Sequence, residues 1–94
     1  DKKETLQNLR KQKIANLLAP TDYVITKLSD LKMQLDLGLI TSDIYNAEVQ
    51  KYQPVLQKRQ KIREWNAKIE VRIQQATTLD ELKQIEEEIN EYQG

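Results

Sequence analysis

The chain of 94 residues has no cysteine, no histidine and no phenylalanine, and only two glycines and two prolines. Without cysteine it can form no disulfide and offers no thiolate. Without histidine it lacks the commonest metal ligand and general base. Neither sign of charge is in excess, because 15 basic residues balance 15 acidic ones. Nucleic-acid and anionic-membrane binders depend on a basic surplus, so the composition disfavours both classes.

Long apolar runs are also missing. No segment approaches the ~20 apolar residues that cross a bilayer, and no signal-peptide pattern opens the chain. Apolar residues make up 38% of the chain and aromatic residues 5%, which predicts an elongated shape or a core completed by an oligomer. We therefore expect a single domain over residues 1–94, located in the cytoplasm. Because residue 1 is Asp rather than Met, a fragment of a longer chain is also an option.

The abundant residues are mostly helix formers, and the apolar ones recur at helical spacing. The periodicity predicts four helices, over about residues 2–18, 22–37, 43–76 and 79–92, and no strand. Ala19-Pro20 ends the first helix, Thr21 or Asp22 caps the second, and Gly38 follows the second as a left-handed residue. The predicted fold class is all-α, built as elongated antiparallel helical hairpins or a small helical bundle.

The third helix carries the main ambiguity. Thr41 or Ser42 opens it, and its apolar stripe keeps its phase across Pro54, which favours one long kinked helix over two helices. Arg59 occupies a position on this stripe and interrupts it. The fourth helix has the strongest start signal, a capping box formed by Thr78 and Glu81.

The charge is balanced only on average. Residues 1–18, 19–50, 51–76 and 77–94 carry net charges of +3, −3, +5 and −5. Alternation of this kind predicts that each basic helix packs against an acidic neighbour. Across the last hairpin, the expected facing groups are Lys58, Arg59, Lys61, Arg63, Lys68 and Arg72 on one side and Asp80, Glu81, Glu86, Glu87, Glu88 and Glu91 on the other.

Two rival functions have weak support. Trp65 and Tyr52 in the basic stretch could stack on nucleic-acid bases, but both lie on the apolar stripe, where packing is the usual role. Glu87 and Glu91 are spaced to bind a metal or exchange protons, but a solvated acidic face is the simpler interpretation. We expect no enzyme activity, no catalytic residue, no metal site, no cofactor, no nucleic-acid partner and no membrane partner.

Two stretches resemble known families. Residues 28–52, with Gly38-Leu39-Ile40-Thr41 followed by Asp43 and Tyr45, resemble the short helical hairpin called SHOCT. Leu17-Leu18-Ala19-Pro20-Thr21-Asp22-Tyr23, followed downstream by Tyr52, Lys58-Arg59, Ile62-Arg63 and Trp65, is similar to the C-terminal helical regions of bacteriophage tail and tail-fibre accessory proteins with an assembly-chaperone character. That resemblance covers about residues 9–75 and departs from its pattern in the insert 28–44 and at Pro54. It implies a virion or tail-assembly role through protein contacts, with no catalytic residue to transfer.

The leading hypothesis is a structural or protein–protein interaction domain, with a phage tail or tail-fibre assembly as the setting. The partner is a protein, either a second copy of the chain or an assembly component. An alternative is a small helical inhibitor or regulatory module that binds through charged helix faces. The expected contact surface consists of exposed remnants of the apolar stripes, namely Leu6, Leu9, Leu17, Ile62, Trp65 and Ile69.

Overall fold

The computed structural model describes all 94 residues and contains helices and turns only. The α-helices are α1 (Lys2–Leu18), α2 (Asp22–Asp36), α3 (Ser42–Gln75) and α4 (Leu79–Glu91). A 3₁₀ turn over Ala19–Thr21 joins α1 to α2, so residues 2–36 form one nearly continuous helical stretch. Because α1 and α2 are joined without a break, the chain forms three helical rods, namely residues 2–36, α3 and α4, rather than the four separate helices predicted. Helix accounts for 87% of the residues. The all-α class is confirmed.

Helix ends follow the predicted punctuation with one exception. Asp1 and Thr78 cap α1 and α4, accepting hydrogen bonds from the N–H groups of Glu4 and Glu81 at 2.8 and 3.2 Å. Thr41 caps α3 in the same way. At α2, Thr21 stands at the predicted N-cap position, but its hydroxyl donates backward to the Leu18 carbonyl and makes no hydrogen bond to the helix that follows.

The turn after α2 takes its shape from Gly38. This residue has φ +74°, the left-handed conformation that a residue without Cβ adopts at little cost. Its N–H bonds the Leu35 carbonyl and the Leu39 N–H bonds the Gln34 carbonyl, which satisfies two free carbonyls at the helix end. The chain then reverses, and α3 begins four residues after Gly38.

Pro54 lies inside α3 and does not divide it. At 34 residues α3 spans ~51 Å, and it runs through most of the molecule's longest dimension of 57 Å. Residues 2–36 run antiparallel to it along its whole length. Hydrogen bonds between the two rods show the antiparallel direction. The Lys3 ammonium, at the start of α1, donates to the Gln74 carbonyl at the end of α3, and Arg59, nearer the middle of α3, donates to the Leu18 carbonyl at the end of α1.

α4 folds back over only one half of this long hairpin. The result is a three-helix end, made of residues 1–21, 59–75 of α3 and the segment 76–94 that contains α4. The remainder is a two-helix arm, made of α2, the turn 37–41 and residues 42–58 of α3. These two names are kept below.

Nearly all of the core lies in the three-helix end. Its buried apolar cluster consists of Leu6, Ile69, Ile73, Ala76, Leu82, Ile85 and Ile89. In the two-helix arm Val24 is the one fully buried residue. A helix buries its apolar stripe only where neighbours cover both flanks, so the missing third helix leaves the arm half-covered.

Candidate interaction surfaces

The six predicted contact residues lie mainly inside the molecule. Leu6, Ile62 and Ile69 are at most 2% exposed, and Leu9, Leu17 and Trp65 are half-buried. The expectation of an exposed apolar surface at the first three is wrong, because α4 and the antiparallel packing of α1 on α3 cover them.

Trp65 packs against Tyr92. The two rings are parallel to within 9°, with centroids 3.9 Å apart. Desolvation at this stack raises the pKa of Tyr92 above its ordinary value. Because one face of the indole is already occupied by a ring from the same chain, Trp65 does not offer both faces to a base.

The exposed apolar side chains concentrate on the two-helix arm. Eight large apolar residues are exposed in the molecule, and six belong to the arm: Tyr23, Ile25, Met33, Leu37, Leu39 and Ile44. Four of them surround the reversal of the chain, where Met33 is 62% and Leu39 70% exposed. The periodicity placed Ile25 on the apolar stripe of α2, where it is nevertheless exposed, and it assigned Met33, Leu37, Leu39 and Ile44 to no stripe. Their grouping around Gly38 was the available signal, since apolar residues in a turn have few neighbours to cover them.

Two aromatic residues on the arm carry lysines over their faces. The Lys27 ammonium lies 5.2 Å from the Tyr52 ring centroid, and Lys32 lies 5.9 Å from that of Tyr45. Interaction with the Tyr52 side chain raises the pKa of Lys27, with smaller contributions from Glu48 and Tyr23. These lysine stems cover part of the half-buried seam between α2 and α3.

Charge pairing between helices differs from the predicted register. α4 pairs with both basic helices, through Arg72–Glu88 at 2.6 Å and Lys2–Glu86 at 2.7 Å. The Arg72 N–H does not point at the Glu88 oxygen as a hydrogen bond requires. The other predicted basic partners form no ion pair with α4, because α1 and the basic half of α3 pack directly on each other. The acidic α4 therefore lies between two basic helices rather than opposite one.

Arg59 joins the two regions of the molecule. It is 5% exposed, and its Nη1 donates to the Leu18 carbonyl at 3.1 Å, the Thr21 hydroxyl at 2.7 Å and an Asp22 carboxylate oxygen at 3.0 Å. Arg59 therefore occupies a buried position on the apolar stripe of α3, among apolar residues, as the spacing predicted. Its charge is satisfied at the α1–α2 junction and not by α4.

No known family model, curated protein or solved structure matches this chain. No group of three or more acidic side chains is placed to hold a metal ion. None of the helices combines the length and apolar character that crossing a bilayer requires.

Proposed function

We propose that this chain is a non-enzymatic protein-interaction domain that binds a helix of a partner protein along its two-helix arm. The observation that carries the proposal is the concentration of exposed apolar residues on the arm and its turn. Burying one large apolar side chain stabilises a complex by about 1.5–3 kcal/mol before the entropy of association is subtracted. A few such residues on one surface suffice for a stable contact.

The shape of the arm supports a helix as the bound element. α2 and residues 42–58 of α3 form a two-helix surface with a half-buried seam, including Leu28, Leu35, Tyr45 and Val49. A third helix laid along it would complete a three-helix arrangement like the one that α4 completes at the other end. Neither histidine nor cysteine is available for catalysis, which supports the non-enzymatic part of the proposal.

Site-specific cross-linking tests this proposal. A photo-reactive amino acid is placed at Met33 on the arm and, as the matched control, at Val71, which is exposed on the three-helix end. Cross-links from residue 33 to one defined protein, and none from residue 71, are the expected result. Equal yields from both positions, or none from residue 33, would contradict the proposal.

Substitution gives an independent readout. Met33→Ser combined with Ile44→Ser is expected to weaken binding at least tenfold, since the interface loses two exposed apolar side chains that the partner helix would bury. The control pair is Val71→Ser with Leu79→Ser, which removes similarly exposed apolar groups from the other end. Circular dichroism of each variant checks that the helices remain.

As the setting we propose phage tail or tail-fibre assembly, with the chain in the cytoplasm or on the virion. Its support is the resemblance in motif of residues 17–23 and of the residues around Arg59 and Trp65 to tail accessory proteins, which no family model or related protein yet backs. A cross-linked partner that is a tail component favours this setting. Capture of an enzyme beside its active site would instead favour the inhibitor hypothesis, and capture of a second copy would show a homo-oligomer.

A further inference from the structure

One side of α3 carries a stripe of residues that continues from the three-helix end into the two-helix arm. The stripe advances in alternating steps of four and three residues, and this spacing keeps its members on one side of a helix. In the three-helix end its members are Ile62, Trp65, Ile69 and Arg72. In the two-helix arm its members are Ile44, Glu48, Lys51, Val55 and Lys58. The two halves differ in whether a third helix covers them.

In the three-helix end, α4 and the residues after it cover the stripe. Trp65 stacks on Tyr92, and Ile69 belongs to the buried cluster that contains the apolar residues of α4. A Cβ placed on Gly94 would lie 3.5 Å from the Lys58 Cε. The cover therefore reaches the joint between the two regions, and the stripe continues into the arm without a covering helix.

The uncovered half begins at a small cavity at this joint. The cavity has a volume of about 150 Å³, and its lining includes Leu17, Val55 and Lys58. Pockets for whole metabolites or drug-sized ligands run to about 300–1,000 Å³, so this one has room for a single side chain. From Lys58 the stripe runs ~21 Å to Ile44, which matches the length of a helix of about four turns.

Positive charge dominates the uncovered half. Lys51 pairs with Glu48 at 3.2 Å, whereas Lys58 forms no ion pair. From α2, Lys27 reaches the same side of α3, because its ammonium lies 5.2 Å from the Tyr52 ring centroid. Tyr52 raises the pKa of Lys27, and Glu48 adds a smaller contribution. The arm half of the stripe and Lys27 together carry three lysines and one carboxylate.

α4 shows which kind of helix fits a surface of this composition. The segment 77–94 has a net charge of −5, and its Glu86 and Glu88 pair with Lys2 of α1 and Arg72 of α3. Its apolar side is buried in the core between these two helices. An acidic helix with one apolar side is therefore the element that this molecule already places between its two long rods.

We propose that an acidic amphipathic helix of a partner protein binds the uncovered half of the stripe, end to end with α4. We call this surface, which consists of the arm half of the stripe and Lys27, the lysine flank. An apolar side chain of the partner enters the cavity beside Val55, and carboxylates of the partner pair with Lys27 and Lys58.

The lysine flank is distinct from the surface that carries the proposed function. Met33 lies six residues from Lys27 and is therefore turned about 120° around α2, and Val49 is turned about 100° around α3 from Glu48. Ile44 borders both surfaces and is left unchanged in the test. The proposal does not rest on the proposed function, and cross-linking from residue 33 can succeed or fail independently of it.

The experiment is a peptide titration followed by the backbone amide signals of the chain in nitrogen–proton correlation spectra. The probe is an acidic peptide with the sequence of residues 77–93. One control peptide exchanges every acidic residue for Lys and every Lys for Glu, and another has the same composition in an order without an apolar stripe. The tethered α4 has a local concentration near millimolar, which protects it from exchange with dilute peptide.

We expect saturable shifts within residues 44–58 with the acidic peptide at concentrations below about 1 mM, and no saturable shift with either control. Raising the ionic strength about tenfold is expected to weaken binding, because salt screens the lysines. Shifts confined to the three-helix end would show exchange with α4, and equal binding of the charge-reversed peptide would show that the lysines are not used. Either result, or the absence of a saturable shift, would overturn the proposal.

Variants test the same surface from the protein side. Lys51→Glu combined with Lys58→Glu is expected to weaken binding at least tenfold, because attraction to the acidic peptide becomes repulsion. The control is Lys11→Glu with Arg63→Glu, the same charge change at exposed residues of the three-helix end. Val55→Trp fills the cavity and is expected to weaken binding by a similar factor. Circular dichroism checks that each variant remains helical. Equal effects of the two charge variants, or unchanged binding in Val55→Trp, would also overturn the proposal.

Discussion

The three-helix end and the two-helix arm share one helix, α3, yet they treat similar residues differently. Ile73 of α3 is 0% exposed at one end of this helix, and Ile44 is 51% exposed at the other. Both are isoleucines in regular α-helix, so residue type and secondary structure do not account for the difference. The cause is the number of neighbouring helices, since α4 covers α3 only over its second half. The stability of the molecule is therefore expected to reside in one end and its binding capacity in the other.

The largest predicted effect is a difference in the free energy of unfolding between alanine variants of Ile73 and Ile44. Ile73→Ala is expected to lower the free energy of unfolding by about 2–5 kcal/mol, because it opens a cavity in the core. Ile44→Ala is expected to change it by less than about 0.5 kcal/mol, since the side chain already contacts water. Urea unfolding followed by circular dichroism measures both. Equal effects would show that the arm is covered in solution.

The next prediction concerns Pro54, which lies in the arm half of α3. Pro54→Ala is expected to raise the free energy of unfolding by about 1–2 kcal/mol, because alanine restores a backbone donor and favours helix, while the unfolded chain gains some freedom. Amide hydrogen exchange is expected to slow in the arm and to change little in α4. Gln57→Ala is the control, a substitution one turn away that adds no donor. Loss of stability in Pro54→Ala would show that the proline ring makes a contact that alanine cannot replace.

A smaller effect compares the caps of the two regions. Thr78→Ala removes a cap reinforced by Glu81, whose carboxylate accepts the Thr77 N–H at 3.0 Å, and is expected to cost about 1 kcal/mol. Thr41→Ala removes the cap of α3 and is expected to speed exchange mainly at the first turn of that helix. Urea unfolding measures the first effect and hydrogen exchange the second. A global loss from Thr41→Ala larger than that from Thr78→Ala would reverse the assignment of stability to the three-helix end.

The smallest predicted effect is a pH dependence that the three-helix end owes to Tyr92. Burial raises the pKa of Tyr92, so the folded state favours the neutral phenol. Its contribution to stability is complete below the ordinary tyrosine pKa of about 10 and is lost as the pH rises through the higher folded value. Tyrosinate absorbance of the wild type minus that of Tyr92→Phe isolates this group. A difference curve with its midpoint at or below pH 10 would contradict the prediction.

Local signals accounted for most of the fold. Capping residues, Gly38 and apolar spacing predicted the helix bounds to within a residue or two, because these depend on neighbours in sequence. Thr21 was the exception, since its hydroxyl bonds backward to Leu18 within a 3₁₀ turn that the spacing did not reveal.

The surfaces could not be predicted in the same way. Periodicity identifies an apolar stripe but does not tell how many helices cover it, so Leu6, Ile62 and Ile69 were expected to be exposed. The partner of Arg59 was missed for the same reason, because Asp22 lies 37 residues away in the chain. Contacts at that separation depend on how the helices assemble.

The continuity of α3 has a mechanical consequence. A single helix of ~51 Å runs from the core to the turn after Gly38, so its length sets the distance between the three-helix end and the tip of the arm. Bending is easiest at Pro54, where the backbone ladder lacks one bond. If a partner helix binds the arm as proposed, its distance from the core is set by the length of α3, and Pro54 is the point at which that distance can vary.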